Sequence, residues 1–287
     1  MDSEVVIALV VGVLQGIFEW LPVSSEGNVT VVLTALGSEP EAAVQYSLFL
    51  HVGTALAATV YYRDTLAEVG WTLSDLRPDD PFRDETATLS FLVLATLASG
   101  IVGIAAYVAI EGLVSELTGG AAVALIGLLL VATGILQLVA GTGDAEREET
   151  PAPDGGVTAH RETPTPFDAM LVGALQGLAI LPGVSRSGTT VSALLLRGYE
   201  GEASFRLSFL LSVPAALGAG VLAVLDGGGL PTLSPVAALL ALATAALVGY
   251  LTIDALMRVV KRVAFWGVCV GLGLLAMVGG GLAILLA

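Results

Sequence analysis

One phrase of unusual polar composition occurs twice in this chain, each time inside an interrupted hydrophobic segment. Residues 14–27 read LQGIFEWLPVSSEG and residues 175–188 read LQGLAILPGVSRSG, an offset of 161 residues without a gap. The same offset aligns 46–61 with 207–222. A repeat whose halves carry broken hydrophobic segments at corresponding places is typical of inverted-repeat membrane folds, and the breaks mark the binding site. The chain is therefore predicted to be two copies of one membrane unit.

Composition places the chain in a membrane. Hydrophobic residues make up 55% and charged residues 13%, and the mean hydropathy is +0.89, whereas soluble domains carry roughly 25% charged residues. The N-terminal apolar stretch begins with Asp2 and Glu4 rather than with basic residues, so it is not expected to be a cleaved signal. Six segments are long and apolar enough to span a bilayer, and they lie at 44–62, 88–110, 120–140, 204–225, 234–257 and 264–286.

Two further apolar regions, 5–36 and 167–197, are interrupted by Pro, Gly and Ser. Irregular backbone at membrane depth is tolerated only where it is buried in protein or lines a water-filled cavity, so each region is predicted to be a re-entrant hairpin of two half-helices. The predicted fold is an all-α polytopic membrane protein with an inverted-topology repeat, in which each half is a re-entrant helical hairpin plus three transmembrane helices. The single membrane domain, 1–287, comprises a first repeat at 1–140, a cytoplasmic linker at 141–166 and a second repeat at 167–287.

The distribution of Lys and Arg predicts the orientation. In the predicted topology, the loops on one side of the membrane carry no Lys or Arg, so the other side is the basic one. The positive-inside rule makes the basic side cytoplasmic, so both termini are expected outside the cytoplasm of a multi-pass plasma-membrane protein. The basic residues other than Arg186 and Arg197 all fall in loops that share one side, namely 63–87, 141–166, 198–206 and 258–263.

The formal net charge of −15 limits the choice of partners. Nucleic acid is excluded as an expected partner, because its phosphates require a basic surface. Acidic residues at this density indicate adaptation to high salt, where charge repulsion is screened. The alternative is that they are simply solvated acidic loops.

The first break follows an ionisable residue at membrane depth. Glu19 lies four residues after Gln15, so both lie on one helix face, and an acid at this depth is a functional candidate. In the alternative reading Glu19 is satisfied by neighbouring hydroxyls or by Arg186 and is purely structural. Ser24 and Ser25 follow the break and can cap the second half-helix.

The second break places an arginine, several hydroxyls and a helix N-terminus in one short run, 185–190. Backbone N–H groups, a positive dipole end and a guanidinium together suit phosphate. A structural pair between Arg186 and Glu19 is the alternative, and it is compatible with a site because such a pair can open. His51 lies within a span, where a lone histidine is either a packing residue or a member of the site.

These residues give the chain a resemblance to a known family, the bacitracin-resistance type undecaprenyl-diphosphate phosphatases. The family's first motif, Glu or Gln followed by three residues and Glu, occurs as 15–19 and continues into 21–25. The second motif, Pro-Gly-x-Ser-Arg-Ser-x-x-Thr, occurs complete as 182–190. The resemblance covers nearly the whole chain, including both hairpins and the six spans.

The resemblance implies removal of the terminal phosphate of a polyprenyl diphosphate outside the cytoplasm, which leaves a monophosphate carrier lipid. It implies a divalent cation, Mg²⁺ or Ca²⁺, held by Glu19 with Gln15. Ser25 is then the expected nucleophile, Arg186 the group that holds the diphosphate, and Glu19 a catalytic residue that handles the proton if it does not bind the cation. The expected substrate-binding residues are Ser24, Asn28, Ser185, Ser187, Gly188, Thr189 and Thr190.

The chain departs from the family at one point. The usual Ser-Ser-Thr-Gly-His becomes Ser-Ser-Glu-Gly-Asn at 24–28, so that Asn28 stands in the histidine position. An amide does not take up a proton at working pH. The expected substitutes for proton transfer are Glu26, Glu19 and His51.

Two other functions remain open at this stage: a transporter or flippase for a phosphorylated lipid or anion, and a non-catalytic lipid-diphosphate binder. An enzyme needs the Ser25 hydroxyl beside Arg186, whereas a carrier needs only the binding groups. The expected partners are a polyprenyl diphosphate and membrane lipids, and a homodimer is compatible with the sequence.

Overall fold

Eleven α-helices make up most of the chain that the computed structural model describes, which is residues 3–83, 85–114, 117, 119–149, 161–226, 234–260 and 262–286. The one β-bridge among these residues joins Arg161 to Tyr199. The helices are α1 Ser3–Phe18, α2 Ser25–Ala35, α3 Pro40–Tyr61, α4 Arg63–Trp71, α5 Ala87–Val114, α6 Gly119–Glu149, α7 Pro166–Leu178, α8 Arg186–Leu196, α9 Gly201–Asp226, α10 Pro235–Val260 and α11 Phe265–Leu286.

Six helices are long and apolar enough to cross a membrane, which confirms the predicted spans. They are α3, α5, α6, α9, α10 and α11. The predicted all-α multi-pass fold is therefore confirmed. The inverted orientation of the two halves, the sides of the termini and the homodimer stay predictions.

Both predicted breaks lie between two helices, and proline explains their position. Pro22 and Pro182 have no backbone N–H and disfavour helical geometry in the residue before them, and neither lies within a helix. In the second break Gly183 has a φ of 103°, a left-handed conformation that glycine adopts without a steric cost. Because each break is encoded locally, α2 and α8 begin 161 residues apart, as α3 and α9 do.

Each N-terminal half-helix packs on a span that belongs to the other half: α1 lies along α10, and α7 lies along α5. Glycines allow the backbones to approach. A Cβ on Gly16 would lie 2.8 Å from the backbone nitrogen of Gly249, and a Cβ on Gly177 would lie 2.8 Å from that of Gly103. Small residues at such crossings allow close helix packing in membranes. The two halves are thereby interlocked rather than placed side by side.

The central helices are α3 and α9, which pack on each other. Within their spanning windows 67% and 56% of residues are buried, against 17% in the peripheral α11. Pro214 lies inside α9, where it removes one helical hydrogen bond. Small residues follow it, and together they line a groove between α9, α5 and α7.

The segment 141–166, predicted as a linker, is partly helical, because α6 continues to Glu149. Residues 150–160 lie outside the described residues. Just beyond the segment, Asp168 is fully buried and accepts hydrogen bonds from Arg197 Nε at 2.5 Å and from the Tyr199 hydroxyl at 2.7 Å. These contacts fix the start of the second hairpin.

The substitution Gly16→Ala is expected to lower the midpoint of thermal unfolding in detergent. Its Cβ would lie 2.8 Å from Gly249 N and 2.9 Å from Ala245 O, and overpacking of this kind costs about 1–3 kcal/mol. Gly271→Ala in α11 is the control, because no atom lies within 4 Å of the added Cβ. It should leave the midpoint unchanged or raise it slightly, since alanine favours helix more than glycine. Equal losses in both variants would contradict the close crossing.

Candidate functional site

The two breaks meet tip to tip between the spans. The Ser24 hydroxyl accepts a hydrogen bond from Gly183 N at 3.1 Å, and the Ser187 hydroxyl donates to the Leu21 carbonyl at 3.4 Å. A Cβ on Gly27 would lie 2.7 Å from Gly183 N, so only glycine lets the first turn of α2 approach so closely. The breaks of both halves therefore form one site.

Ser24 sets the direction in which α2 begins. Its φ of 60° and ψ of 86° lie in the left-handed region, and it is the one non-glycine residue with positive φ among those described. Such a conformation costs about 1–3 kcal/mol and persists where the surroundings impose it. Here the Ser24 hydroxyl caps α2 by accepting from Gly27 N at 3.2 Å. The cap fixes the first turn, which contains Ser25 and Glu26.

Glu19 lies at the centre of the site and is contacted by four of its side chains. Its Oε2 accepts hydrogen bonds from the Ser25 hydroxyl at 2.8 Å and from Gln15 Nε2 at 3.0 Å. Arg186 Nη2 donates to Oε1 at 2.7 Å, and His51 Nε2 lies 3.4 Å from Oε2. Because the Glu19 side chain is only 5% exposed, the Arg186 guanidinium compensates a charge that would otherwise be costly to bury. Four other predicted site residues, Gln15, Ser25, His51 and Arg186, are thus brought together around the Glu19 carboxylate.

The backbone carbonyls of two buried serines in matching repeat positions orient Arg186 and His51, the two basic partners of Glu19. Arg186 Nη1 donates to the Ser208 carbonyl at 3.4 Å, and His51 Nδ1 lies 2.8 Å from the Ser47 carbonyl. A carbonyl only accepts, so Nδ1 carries a hydrogen, and His51 can donate to Glu19 as well only as the imidazolium. The sequence analysis missed both serines, although the 161-residue offset aligns them. Both contacts are made by backbone carbonyls, so the residue type gave no signal for them.

Two cavities share the carboxylate. The smaller is polar and has a volume of about 20 Å³, enough for about one water molecule, so a phosphate group enters only when Arg186 leaves Glu19. The larger is a mostly apolar groove of about 370 Å³. Five residues line both cavities, namely Glu19, Glu26, His51, Ala179 and Arg186.

Glu26 lies at this junction without a partner of its own. It is 4% exposed, and its Oε1 is buried without a hydrogen bond. Its position in the first turn of α2 favours negative charge, but the helix dipole contributes only about 0.3–1 kcal/mol, and up to about 2 in buried geometry. Burying an uncompensated charge costs several kcal/mol. The helix dipole is therefore too weak to compensate a negative charge on the buried Glu26 carboxyl.

The remaining predicted substrate-binding residues of the second break divide into two sets. Ser185 and Ser187 line the polar pocket. Thr189 and Thr190 instead donate to the carbonyls of their own helix, at 3.0 Å and 2.8 Å, and Gly188 N donates to the Ser185 hydroxyl at 3.1 Å. These last three residues lie outside the pocket lining and shape the start of α8.

Asn28 stands in the family's histidine position. Its side-chain amide forms hydrogen bonds to the backbone of the first break. Its Nδ2 donates to the Val23 carbonyl at 2.7 Å and to the Ser24 carbonyl at 2.9 Å. It lines neither of the two cavities. The amide supplies a donor to the Val23 carbonyl in the break and a second donor to the Ser24 carbonyl, which also accepts the first helical bond of α2, from Asn28 N at 3.1 Å. It holds the backbone that precedes Ser25.

The Pro22 carbonyl is fixed by two residues that sequence reasoning did not assign to the site. It accepts hydrogen bonds from Gln137 Nε2 at 2.7 Å and from the Cys269 thiol at 2.9 Å. Proline prevents this stretch from forming helical hydrogen bonds, so α6 and α11 supply the donors. No sequence signal links residues so far apart in the chain.

The residues present are compatible with a divalent cation that is completed by a ligand. Among the described residues no group of three or more His, Cys, Asp or Glu side chains is arranged to hold a metal. Mg²⁺, however, is commonly bound by one or two carboxylates together with substrate phosphates. Beside Glu19, Gln15 Oε1 is fully buried without a hydrogen bond and is an oxygen of the type such a cation prefers.

Replacing Asn28 by Asp is expected to destabilise the protein more than replacing it by Ala. Asp keeps the size but puts a carboxylate against two carbonyls, whereas Ala only takes the side-chain donor from the Val23 carbonyl, which costs about 1–3 kcal/mol, and the Ser24 carbonyl keeps its bond from the backbone N–H of residue 28. The measurement is thermal unfolding in detergent. Asn28→Asp at wild-type stability would contradict the donor role of Asn28.

Comparisons with known proteins identify the family of this chain. A model of the family described as bacitracin resistance protein BacA matches residues 8–276. A protein of Haloarcula marismortui named undecaprenyl-diphosphatase is 52% identical over 280 residues, covering 97% of this chain and 98% of the relative. Proteins of the same name from Methanococcoides burtonii and Geobacter sulfurreducens are 36% and 35% identical, over 94% and 92% of this chain and 96% and 92% of their own lengths. The resemblance found in the sequence is confirmed: the chain belongs to the bacitracin resistance protein BacA family.

Proposed function

We propose that this protein is a membrane hydrolase that removes the terminal phosphate of a polyprenyl diphosphate of the undecaprenyl type. One observation carries the proposal: the Ser25 hydroxyl donates at 2.8 Å to the carboxylate that also holds Arg186, at the end of an apolar groove. A nucleophile, a proton acceptor and a phosphate-binding cation are thereby within reach of one phosphorus atom. Family membership and the name of the relatives point to the same reaction.

The reaction begins when the diphosphate takes Arg186 from Glu19. Ser25 Oγ then attacks the terminal phosphorus, the bond to the bridging oxygen breaks, and the polyprenyl monophosphate leaves. The Ser25 proton passes to Oε2 of Glu19, which already accepts the Ser25 hydrogen bond, so that Oε1, from which Arg186 has moved, stays available to a cation. Water next attacks the phosphoserine, inorganic phosphate leaves, and Ser25 regains a proton. Phosphoryl transfer depends mainly on positioning and on stabilising charge, which Arg186 and the first turns of α2 and α8 supply.

A divalent cation, Mg²⁺ or Ca²⁺, fits this site with Glu19 and Gln15 as its protein ligands. When bound, it neutralises charge on the diphosphate and makes the leaving monophosphate a better leaving group. His51, which lies 3.4 Å from Glu19, is the group best placed to exchange a proton with Glu19.

The groove between α5, α7 and α9 is proposed to hold the first part of the prenyl chain. Its lining is predominantly apolar, and at its outer end Ile104 and Leu225 are 59% and 74% exposed. An isoprenoid tail can therefore leave the groove sideways into lipid while the head group stays at Glu19. The remaining chain needs no protein contact, because lipid is an equally apolar surrounding.

The orientation that best fits the reaction puts the groove in the extracytoplasmic half of a plasma membrane. Ile104 and Leu225 lie late in α5 and α9, toward the side where the loops carry no Lys or Arg. The head group then enters from outside the cytoplasm, and both termini lie on that side. The product is the monophosphate carrier lipid used in envelope or glycan assembly.

A carrier or a lipid-diphosphate binder is not favoured by this geometry. Either function needs Arg186 and the groove, but neither needs a serine hydroxyl aimed at a buried carboxylate. The relatives named undecaprenyl-diphosphatase cover nearly the whole chain. Turnover by Ser25 variants separates the functions.

The Ser25→Ala and Arg186→Ala variants are expected to lose phosphate release by about 10³-fold or more, because each removes a group that acts in the transition state. The assay uses a C55-type polyprenyl diphosphate, purified protein in detergent and a divalent cation. Ser74→Ala in an exposed turn is the control and should keep wild-type turnover. Full activity in Ser25→Ala would overturn the nucleophile assignment.

Gly218→Phe is expected to raise the KM for a long-chain diphosphate several-fold and to change kcat for a short-chain analogue little. Gly218 lines the groove, and no atom lies within 4 Å of an added Cβ, so the ring fits the fold but occupies the space of the tail. Gly271→Phe, on an equally open glycine of α11, is the matched control. Equal kinetics in the two variants would place the tail elsewhere.

A further inference from the structure

Glu26 is the buried acid that the proposed reaction does not use. It lines both the polar pocket and the groove, and its Oε1 is buried without a hydrogen-bond partner. None of the ion pairs between described side chains includes it, and Arg186, the cation of the pocket, is paired with Glu19. A carboxyl held in this way lacks a positive partner.

The surrounding backbone gives Glu26 a fixed position. Ser24 caps the first turn of α2, and Gly27 is wedged against Gly183, so the Cα of Glu26 cannot retreat from the pocket without breaking the contact between the two tips. Side chains held on rigid elements form precise ligand sites. The carboxyl therefore faces whatever occupies the pocket.

The charges of the occupied pocket do not balance with protein groups alone. A diphosphate brings more than one negative charge to a pocket that already contains the Glu19 carboxylate, and one guanidinium cannot neutralise all of them. A divalent cation between carboxylate and phosphate oxygens restores the balance, as in other phosphoryl-transfer sites.

We propose that Glu26 is a second carboxylate ligand, with Glu19, for a divalent cation whose coordination is completed by the lipid diphosphate. This inference rests on the proposed function. Since the described residues contain no metal cluster of three or more His, Cys, Asp or Glu side chains, the protein alone offers too few ligands for tight binding. The cation and the diphosphate therefore bind cooperatively, and each raises the affinity of the other by the same factor.

The experiment measures Mn²⁺ binding to the full-length protein in detergent by electron paramagnetic resonance, with and without farnesyl methylenediphosphonate, which cannot be hydrolysed. In the wild type the analogue should increase Mn²⁺ affinity. In Glu26→Gln that affinity should fall by roughly tenfold or more, as expected for loss of a metal-site group. Glu68→Gln on the exposed face of α4 is the matched control and should behave as the wild type.

A measurement without ligands excludes a folding defect. Glu26→Gln should melt at the wild-type temperature or above it, because the amide removes an unpaired carboxyl from a buried place. A purely structural Glu26 would give the opposite result, a lower melting temperature.

The outcomes distinguish the two proposals. Wild-type Mn²⁺ affinity in Glu26→Gln, with analogue binding that still depends on Arg186, would overturn the role of Glu26 and leave the proposed function intact. Failure of the wild type to bind the analogue at all would overturn the proposed function, and the role of Glu26 with it.

Discussion

The ion pair between Glu19 and Arg186 joins the first half of the chain to the second at the place where both lack regular helix. Neither charge is tolerable alone at this depth, so the pair requires the two broken helices to meet. The close glycine crossings of α1 on α10 and of α7 on α5 bring the tips together. The interlocked fold and the buried ion pair therefore depend on each other. Opening of the pair between Glu19 and Arg186 is the smallest change that makes room for phosphate.

The breaks place reactive groups at membrane depth without leaving the backbone unsatisfied. Each carbonyl or N–H freed by Pro22 or Pro182 must find a partner in the protein. The Pro22 carbonyl uses Gln137 and Cys269, and Gly183 N uses the Ser24 hydroxyl. The polar side chains therefore divide into those that repair the backbone and those that face the pocket. Ser24 belongs to both sets, which explains why it tolerates a left-handed φ.

The sequence predicts those features that are encoded locally. Pro and Gly within an apolar stretch predict the breaks, and the 161-residue repeat predicts their correspondence. The convergence of Glu19 and Arg186 follows from the cost of single charges in lipid. The partners Gln137, Cys269 and Ser208 depend on which helix faces meet, and no local pattern encodes that. The helical start of the segment 141–166 is not apparent from its Thr and Gly residues, which indicate a loop; α6 continues through the charged helix formers up to Glu149.

The two departures from the family pattern lie two residues apart and have different consequences. Asn28 donates to the carbonyls of Val23 and Ser24, so this position stabilises the break and supplies no proton acceptor. Glu26 lies two residues nearer the tip and lines both cavities. In the proposed reaction, the Ser25 proton and the positive charge that the diphosphate requires must then be handled by groups that surround Glu19 rather than by residue 28. His51, whose Nδ1 is held by the Ser47 carbonyl, and Glu26 are the two ionisable side chains at that junction besides the pair itself, so in the proposed reaction they are the groups from α3 and α2 that can act beside Glu19.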